Sequence, residues 1–493
     1  MPYTVETYKE KRKNNKDYLI DFDKFNRILS LELNEKSKEN VLRGIKELEK
    51  RPEILAEPDK EIKTASIPDD NKISEQWALN NIKAYDTWNI VNDTSQIIVG
   101  VLDTGIDGTH EDLKDNIYKS SSDDDISHMD FTTDKTFGDR VLTPTDPNGH
   151  GTHVAGIIGA KGNNKIGVTG MCWNVKLVSL RVIAENIQNK QAWFTRAVDY
   201  ANNKNIPILN CSFGGYEDNW EFKYAIRAYK GLVVCAAGNY ETDNDTKPFY
   251  PASYDNDNII SVGAIDVNNE KSSFSNYGIN IVDIYAPGTN ILSTWPSNQY
   301  ITDSGTSMAA PFVAGTAALM LAANSNLTTK QLKDAIISGA DQITISVPGV
   351  SYIAKKQQQV LKLNSLEAIK RVAYKTDETG EKITGTWFTP NKNLRIPNII
   401  NNVIIKSLED EIFKNCTSLE SVTLPDNLVT IGSSTFKGCS SLTSIVIPNT
   451  VQQIGSSAFE DCTSLSSVIV KKETNEITSL GNYGFAGCSS SLK

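Results

Sequence analysis

GTSMAAPFVAGTAALMLAAN, residues 305–324, sets a serine among small residues at the mouth of an almost wholly apolar, alanine-rich run. A run of this length and composition reads as a helix buried on every side. Ser307 then lies at the helix N-terminus, where unpaired N–H groups and the positive end of the macrodipole favour developing negative charge. Pro311 agrees, because proline is tolerated near the first turn and not deep in a helix. A serine cap on a core helix explains Ser307 as well. Its role turns on the rest of the chain.

Working outward, 493 residues suggest about three domains and supply ample apolar material for a large core. A net charge of −10 argues against a nucleic-acid or anionic-membrane partner. Only the Ser307 helix is charge-free for the ~18 residues a membrane span needs, and its small residues and Gly315 read better as soluble core. No transmembrane segment is expected. The start, MPYTVETYKEKRKNNKDY, is polar and charged and is not a signal peptide as it stands. Seven cysteines without close pairing do not make a disulfide framework.

Upstream, residues 1–65 are rich in lysine and glutamate. One amphipathic helix lies in NEKSKENVLRGIKELEKRPE, with Val41, Leu42, Ile45 and Leu48 on one face and Pro52 as its stop. ILSLEL (28–33) and EILAEPD (53–59) read as short strands around it. So small an α+β unit needs something larger to lean on. From about Pro68 the composition changes, and QIIVGVLDTG (96–105) reads as a central strand of a parallel sheet. Strands and helices then alternate to about residue 375. HGTHVAGIIGA (150–160) opens a helix, while VKLVSLRVI (175–183), IPILNCSFGG (206–215), GLVVCAAGN (231–239), NIISVGAI (258–265) and VDIYAPG (282–288) are strands. This predicts an α/β, doubly wound, mainly parallel sheet over 66–375, with reactive groups at the carboxyl ends of its strands. Asp103, Ser212, Asn239 and the helix starts at His150 and Ser307 all fall there.

A serine hydroxyl is a weak nucleophile unless a base takes its proton, and histidine does so best when a buried carboxylate fixes its tautomer. The chain has four histidines, at 110, 128, 150 and 153, so the base is sought among them. His150 and His153, one helical turn apart, also fit a metal-ligand pair, although no third ligand stands at suitable spacing. The tetrahedral intermediate of acyl transfer needs an oxyanion donor, and Asn239 is placed to give one.

DTG at 103–105, HGTHVAG at 150–156, SFGG at 212–215, AAGN at 236–239, APGT at 286–289 and GTSMAAP at 305–311 together resemble the signature set of subtilisin-like serine proteases. Six such strings in the family's order are specific where one would not be. The resemblance implies Asp103 as orienting carboxylate, His150 as general base and then acid, and Ser307 as nucleophile. Asn239 and the Ser307 backbone N–H match the oxyanion donors. All four being present argues against an inactive scaffold. The resemblance also implies an extended peptide substrate lying along Ser212, Phe213, Gly214 and Gly215, with Ala237 and Gly238 across the pocket for the residue before the cut (P1). A broad endopeptidase with apolar or aromatic P1 preference is the expectation, with Phe213 shaping a more distant subsite. The insertion between Asp103 and His150, with its DDD at 123–125, reads as a solvated loop.

Calcium is the implied cofactor. Asp112 matches a carboxylate of the family's tight site, Asn164 and the carbonyls of Ile166 and Val168 supply further oxygens, and Asp70 stands as the N-terminal ligand, which is hard-cation chemistry. Residues 1–65 resemble the last half of an inhibitory propeptide, so this segment is expected to act as an inhibitor and to be cut off between about Lys60 and Pro68. The earlier strand and helix of a full propeptide are not recognisable.

Beyond a linker at 376–393, Phe413, Phe436, Phe459 and Phe485 recur with Cys416, Cys439, Cys462 and Cys488 at intervals of 23, 23 and 26 residues. That period predicts a solenoid over 394–493, resembling bacterial-surface leucine-rich repeats, with the cysteines as packing residues. The last repeat is incomplete and lacks an evident cap, as in a truncated reading frame. Two functions follow: a secreted or cell-surface serine endopeptidase whose repeats bind a protein or surface ligand, or a repeat-based adhesin whose protease region serves only self-maturation.

Overall fold

A computed structural model describes residues 18–22, 29–33, 67–119, 126–132, 139–140, 145–184, 192–348, 355–390, 392–470 and 477–490, together with Gln191. The chain divides into two compact units, Met1–Thr64 and Ala65–Lys493. In the first, strands β1 (Tyr18–Phe22) and β2 (Leu29–Leu33) pair antiparallel. β1 is a strand that the sequence reading did not recognise. The amphipathic helix at 34–53, the strand at 53–59, the cleavage stretch and DDD at 123–125 lie outside the described residues, save that Ile67 and Pro68 are described.

The second unit opens with short helices α1 (Trp77–Asn81) and α2 (Ala84–Trp88). Then follow β3 (Ile98–Asp103), β4 (His128–Asp130), β5 (Asp139–Arg140), α3 (His150–Gly159), β6 (Lys176–Arg181), α4 (Gln191–Asn203), β7 (Ile208–Cys211), α5 (Trp220–Ala228), β8 (Leu232–Ala236), β9 (Ile259–Ile265) and β10 (Ile284–Pro287). A hairpin of β11 (Ile291–Trp295) and β12 (Gln299–Asp303) leads into α6 (Thr306–Ala323), then α7 (Thr329–Ser338), β13 (Asp341–Pro348), β14 (Lys355–Lys362) and α8 (Ser365–Ala373). One ten-stranded sheet runs β13-β14-β10-β9-β8-β7-β3-β6-β4-β5. It is parallel from β14 to β4 and antiparallel at each edge.

The strand order explains where chemistry can occur. From β3 the chain goes to β4 and β5 at the edge, comes back to β6 beside β3, and then crosses to β7 on the other side of β3, so the winding changes side between β3 and β7. A crevice opens at such a point outside the carboxyl ends of the strands. Asp103 ends β3 and Ser212 follows β7, so both stand at its lip. β7, β8 and β9 are buried throughout, as their unbroken apolar sequences require.

Helix α6 packs behind β7–β10 and alongside α3. By length and composition it could cross a membrane, but 94% of its apolar window is buried inside the fold. Each buried valine, leucine, phenylalanine or methionine there contributes ~1.5–3 kcal/mol. Close approach depends on Gly315, where a Cβ would come within 2.4 Å of Met171 Cβ. Pro311 is the sixth residue of α6 and lacks the N–H that would pair with the Ser307 carbonyl. That carbonyl accepts instead from the Ser212 hydroxyl at 2.8 Å. The proline thus frees an acceptor where the β7 loop docks.

The stretch expected as a linker holds structure. Strand 382–386 pairs antiparallel with 374–376 and parallel with 407–408, turning at Gly380, whose φ is +77°. It begins a stack continued by 430–431, 453–454 and 479–480, while 393–395, 421–423, 444–447 and 467–470 form a second. The four phenylalanine rings lie 5.4, 5.3 and 5.1 Å apart, nearly parallel. Cys439, Cys462 and Cys488 donate S–H to the carbonyls of Phe413, Phe436 and Phe459 at 3.1–3.2 Å. All seven cysteines are free.

Candidate active site

Asp103 is fully buried, and its Oδ1 accepts from His150 Nδ1 at 2.7 Å and from the Thr104 N–H at 2.8 Å. In the neutral imidazole this contact places the proton on Nδ1 and leaves Nε2 as an acceptor. Burial would push the His150 pKa down, but the charge and hydrogen bond of Asp103, with Asp303 and Asp146 behind it, lift it to about 9. The first turn of α3 presses on the Asp103-Thr104-Gly105 loop: a Cβ on Gly151 would lie 2.1 Å from the Gly105 carbonyl oxygen.

Asp146 holds that junction together and was not singled out from sequence. Its carboxylate accepts from the Thr104 hydroxyl, the Gly149 N–H, and both the N–H and hydroxyl of Thr152 at 2.8–2.9 Å. The only available signal was an Asp-Pro-Asn-Gly turn directly before a helix start. His153 faces elsewhere. Its Nε2 donates to the Ile301 carbonyl at 3.1 Å, and burial pushes its pKa down to about 4. His110 Nε2 likewise donates to the Gln299 carbonyl at 3.0 Å. Of the pair weighed as metal ligands, His153 is engaged with the backbone and His150 with Asp103.

Ser307 stands in the first turn of α6. Its hydroxyl donates to the Ser212 carbonyl at 2.9 Å, while the Ser212 hydroxyl returns a bond to the Ser307 carbonyl. The structure therefore joins Asp103 to His150 and Ser307 to Ser212; the Ser307 proton is not on His150. Asn239 Oδ1 accepts from both the N–H and the hydroxyl of Thr306 at 2.9 Å, which fixes the amide and leaves Nδ2 to donate outward. A Cβ on Gly305 would lie 3.3 Å from Asn239 Nδ2 and 3.5 Å from the Ser307 N. Because residue 305 has no side chain, the Asn239 amide nitrogen, the Ser307 nitrogen and Met308 Sδ all lie within 3.6 Å of one unfilled position beside it. Thr306, a buried clamp between Asn239 and the Gly238 N–H, was also unseen in the sequence.

Of the substrate-side residues, Gly215 pairs antiparallel with Tyr250, and a Cβ on it would meet nothing within 4 Å. The Phe213 ring stacks on Phe194 at 4.6 Å. Ala237 is buried, its carbonyl held by Asn244 and Asn276. A Cβ on Gly214 would lie 2.3 Å from the Phe249 ring, and one on Gly238 would lie 3.0 Å from it.

The expected calcium ligands gather at the loop 162–169. Asp70, buried, accepts from the N–H groups of Asn163 and Asn164 at 2.8 and 2.9 Å and from the Thr169 hydroxyl. Asp112, also buried, accepts from Asn164 Nδ2 at 2.8 Å and from the Val168 N–H at 2.9 Å. Asn164 Oδ1 accepts from the Ile166 N–H at 2.8 Å. Burial pushes the Asp112 pKa up to about 7, and the charges of Asp70 and Glu111 add to it. Two buried carboxylates joined through Asn164, which donates its N–H to one and its Nδ2 to the other, are oxygen donors of the kind a hard divalent cation takes.

A serine at a helix start, an Asp-His couple at the switch point of a doubly wound sheet and a pair of convergent donors define a serine hydrolase of α/β type. Comparison with known proteins is consistent and more specific. The family model described as "Subtilase family" matches residues 94–368, and that of the "BspA type Leucine rich repeat region" matches 374–493 in six copies. The chain is 35% identical over 320 residues to the "Thermophilic serine proteinase" of Bacillus sp. (strain AK1), covering 63% of this chain and 74% of that one. It is 40% identical over 261 residues to the "Major intracellular serine protease" of Bacillus subtilis (strain 168), covering 52% and 76%. A solved structure described as proteases from Pseudoalteromonas arctica aligns with a TM-score of 0.51 and 26% identity, covering 62% of this chain and 99% of that one. The chain belongs to the subtilase family and is a serine endopeptidase carrying leucine-rich repeats.

Proposed function

We propose that this endopeptidase cleaves peptide bonds through Ser307, His150 and Asp103, by way of an acyl-enzyme. The observation carrying the reading is the 2.7 Å Asp103–His150 contact, which in the neutral imidazole turns Nε2 away from Asp103 as the proton acceptor. With substrate bound, the Ser307 hydroxyl turns from the Ser212 carbonyl to His150; such bonds often tighten only in the complex. The oxygen attacks the scissile carbonyl, and the imidazolium formed is steadied by Asp103 and then protonates the leaving amine. Asn239 Nδ2 and the Ser307 N–H receive the oxyanion in the space that Gly305 leaves open. The peptide lies along Ser212, Phe213, Gly214 and Gly215 as an added strand, with Gly215 on the open side. Casein turnover by the wild type and its loss in a folded Ser307→Ala variant is the test; equal turnover would end the proposal.

Asp70, Asp112, Asn164 and the carbonyls of Ile166 and Val168 would hold calcium, which neutralises the two carboxylates and braces the loop. The N-terminal segment serves as an inhibitor before self-cleavage, and the repeats hold a protein or surface ligand outside the cell or on its wall. The last three of these, inhibitor, repeat ligand and location, rest on the resemblance. N-terminal sequencing of active protein, a pull-down with the repeats, and cell fractionation check them; an uncut start, no captured protein or a purely cytosolic pool would count against each in turn.

A further inference from the structure

We infer that Phe249 plugs the pocket for the residue before the cut and restricts P1 to glycine, alanine or serine. The inference rests on the catalytic reading above and replaces the apolar or aromatic preference implied by the resemblance. Gly214 and Gly238 belong to the two backbone segments that flank this pocket, and one ring lies against both of them. The Phe249 ring overlaps the place of a Cβ on Gly214, at 2.3 Å, and lies 3.0 Å from that of a Cβ on Gly238, where Asn276 Nδ2 is nearer at 2.4 Å. Its side chain is only 4% exposed, so it is inserted between the walls and does not lie over them.

The ring is also held there. Tyr216 packs edge-on against it at 5.3 Å, and Tyr240, next to the oxyanion asparagine, packs at 5.9 Å. The two tyrosines touch each other at 5.5 Å, and Lys247 Nζ sits 3.9 Å over the Tyr216 ring. The Phe249 N–H donates to the Ser253 hydroxyl at 2.9 Å, which fixes the backbone beneath. A phenylalanine or leucine side chain at P1 must therefore displace a packed aromatic, whereas a methyl group need not. One methylene too many in a filled apolar pocket costs about 10–200-fold in kcat/KM.

The experiment uses the full chain on tetrapeptide p-nitroanilides that differ only at P1, with the enzyme counted by fluorophosphonate titration. Expected is an Ala-to-Phe ratio in kcat/KM of at least about tenfold, and a shift of that ratio toward Phe by at least about tenfold in Phe249→Ala. Phe249→Leu shifts it in the same direction by less and stands in should the alanine variant fail to fold. A titratable wild type that prefers Phe or Leu overturns the inference while leaving the catalytic reading intact, as does an unchanged ratio in both variants. A folded protein that neither titrates nor cleaves any member of the panel overturns both.

Discussion

Replacing Gly305 with alanine should remove catalysis while leaving the fold standing. The added methyl would lie 3.3 Å from Asn239 Nδ2, 3.5 Å from the Ser307 N and 3.6 Å from Met308 Sδ, which are ordinary to slightly tight contacts. The backbone at 305 has φ 171°, an extended value open to any residue. Stability should therefore change by under about 1 kcal/mol, as for substitutions free of strain or cavity. The methyl and an oxyanion held about 2.7–3.1 Å from both donors contend for the same space. Loss of one such donor lowers kcat by about 10²–10³, or about 2.7–4 kcal/mol, a size taken over from the asparagine donor of subtilisin itself and not worked out from this chain. Since both donors are screened here, that range is a floor. The assay is p-nitroanilide hydrolysis with alanine at P1, read beside a melting curve. A Gly305→Ala protein with the parent's melt and a kcat within about threefold of it would refute the oxyanion assignment.

Other outcomes follow from the same geometry. Because His150 is lifted to about 9, kcat/KM should climb with pH toward that value as Nε2 loses its proton. Asp303→Asn should move the rise to lower pH, and a profile centred on the ordinary imidazole value in both proteins would contradict this. In stability the sign is opposite: a raised imidazole pKa favours the folded state below about pH 6.5, and that share is lost as pH rises through about 9. Asp112, raised from 3.8 to about 7, favours folding while protonated. In excess chelator the melting temperature should therefore fall as pH rises from about 4 to 7. Added calcium should restore several degrees at pH 7 in the parent but not in Asp112→Asn; a melt indifferent to chelator would remove the calcium assignment.

Much of this site was legible because its groups end strands or begin helices, and such places carry short, unusual strings. Asp103 closes an unbroken apolar strand, His150 and Ser307 each open a helix, and Asn239 follows the buried strand 232–236. What stayed hidden is what acts across the fold. Asp146 sits in an ordinary-looking turn, and its importance lies in partners at 104 and 152 that only folding brings to it. Thr306 is one small residue among several until its contact with Asn239 is known. Phe249 lies in a loop without periodicity, and nothing local shows that residues 214 and 238 meet on its ring. The strand at 18–22 was missed because lysines and acidic residues surround a short apolar core. Residues 376–393 read as a linker from their charge, yet Ile383 is buried and starts the repeat stack.

The measurement that bears most directly on the catalytic assignment is the site of covalent attachment of a fluorophosphonate, mapped by peptide mass spectrometry. One adduct per active molecule at Ser307, formed far more slowly in His150→Ala and absent in Ser307→Ala, is the predicted result. Attachment at another serine, or no adduct in a protein shown to be folded, would contradict it.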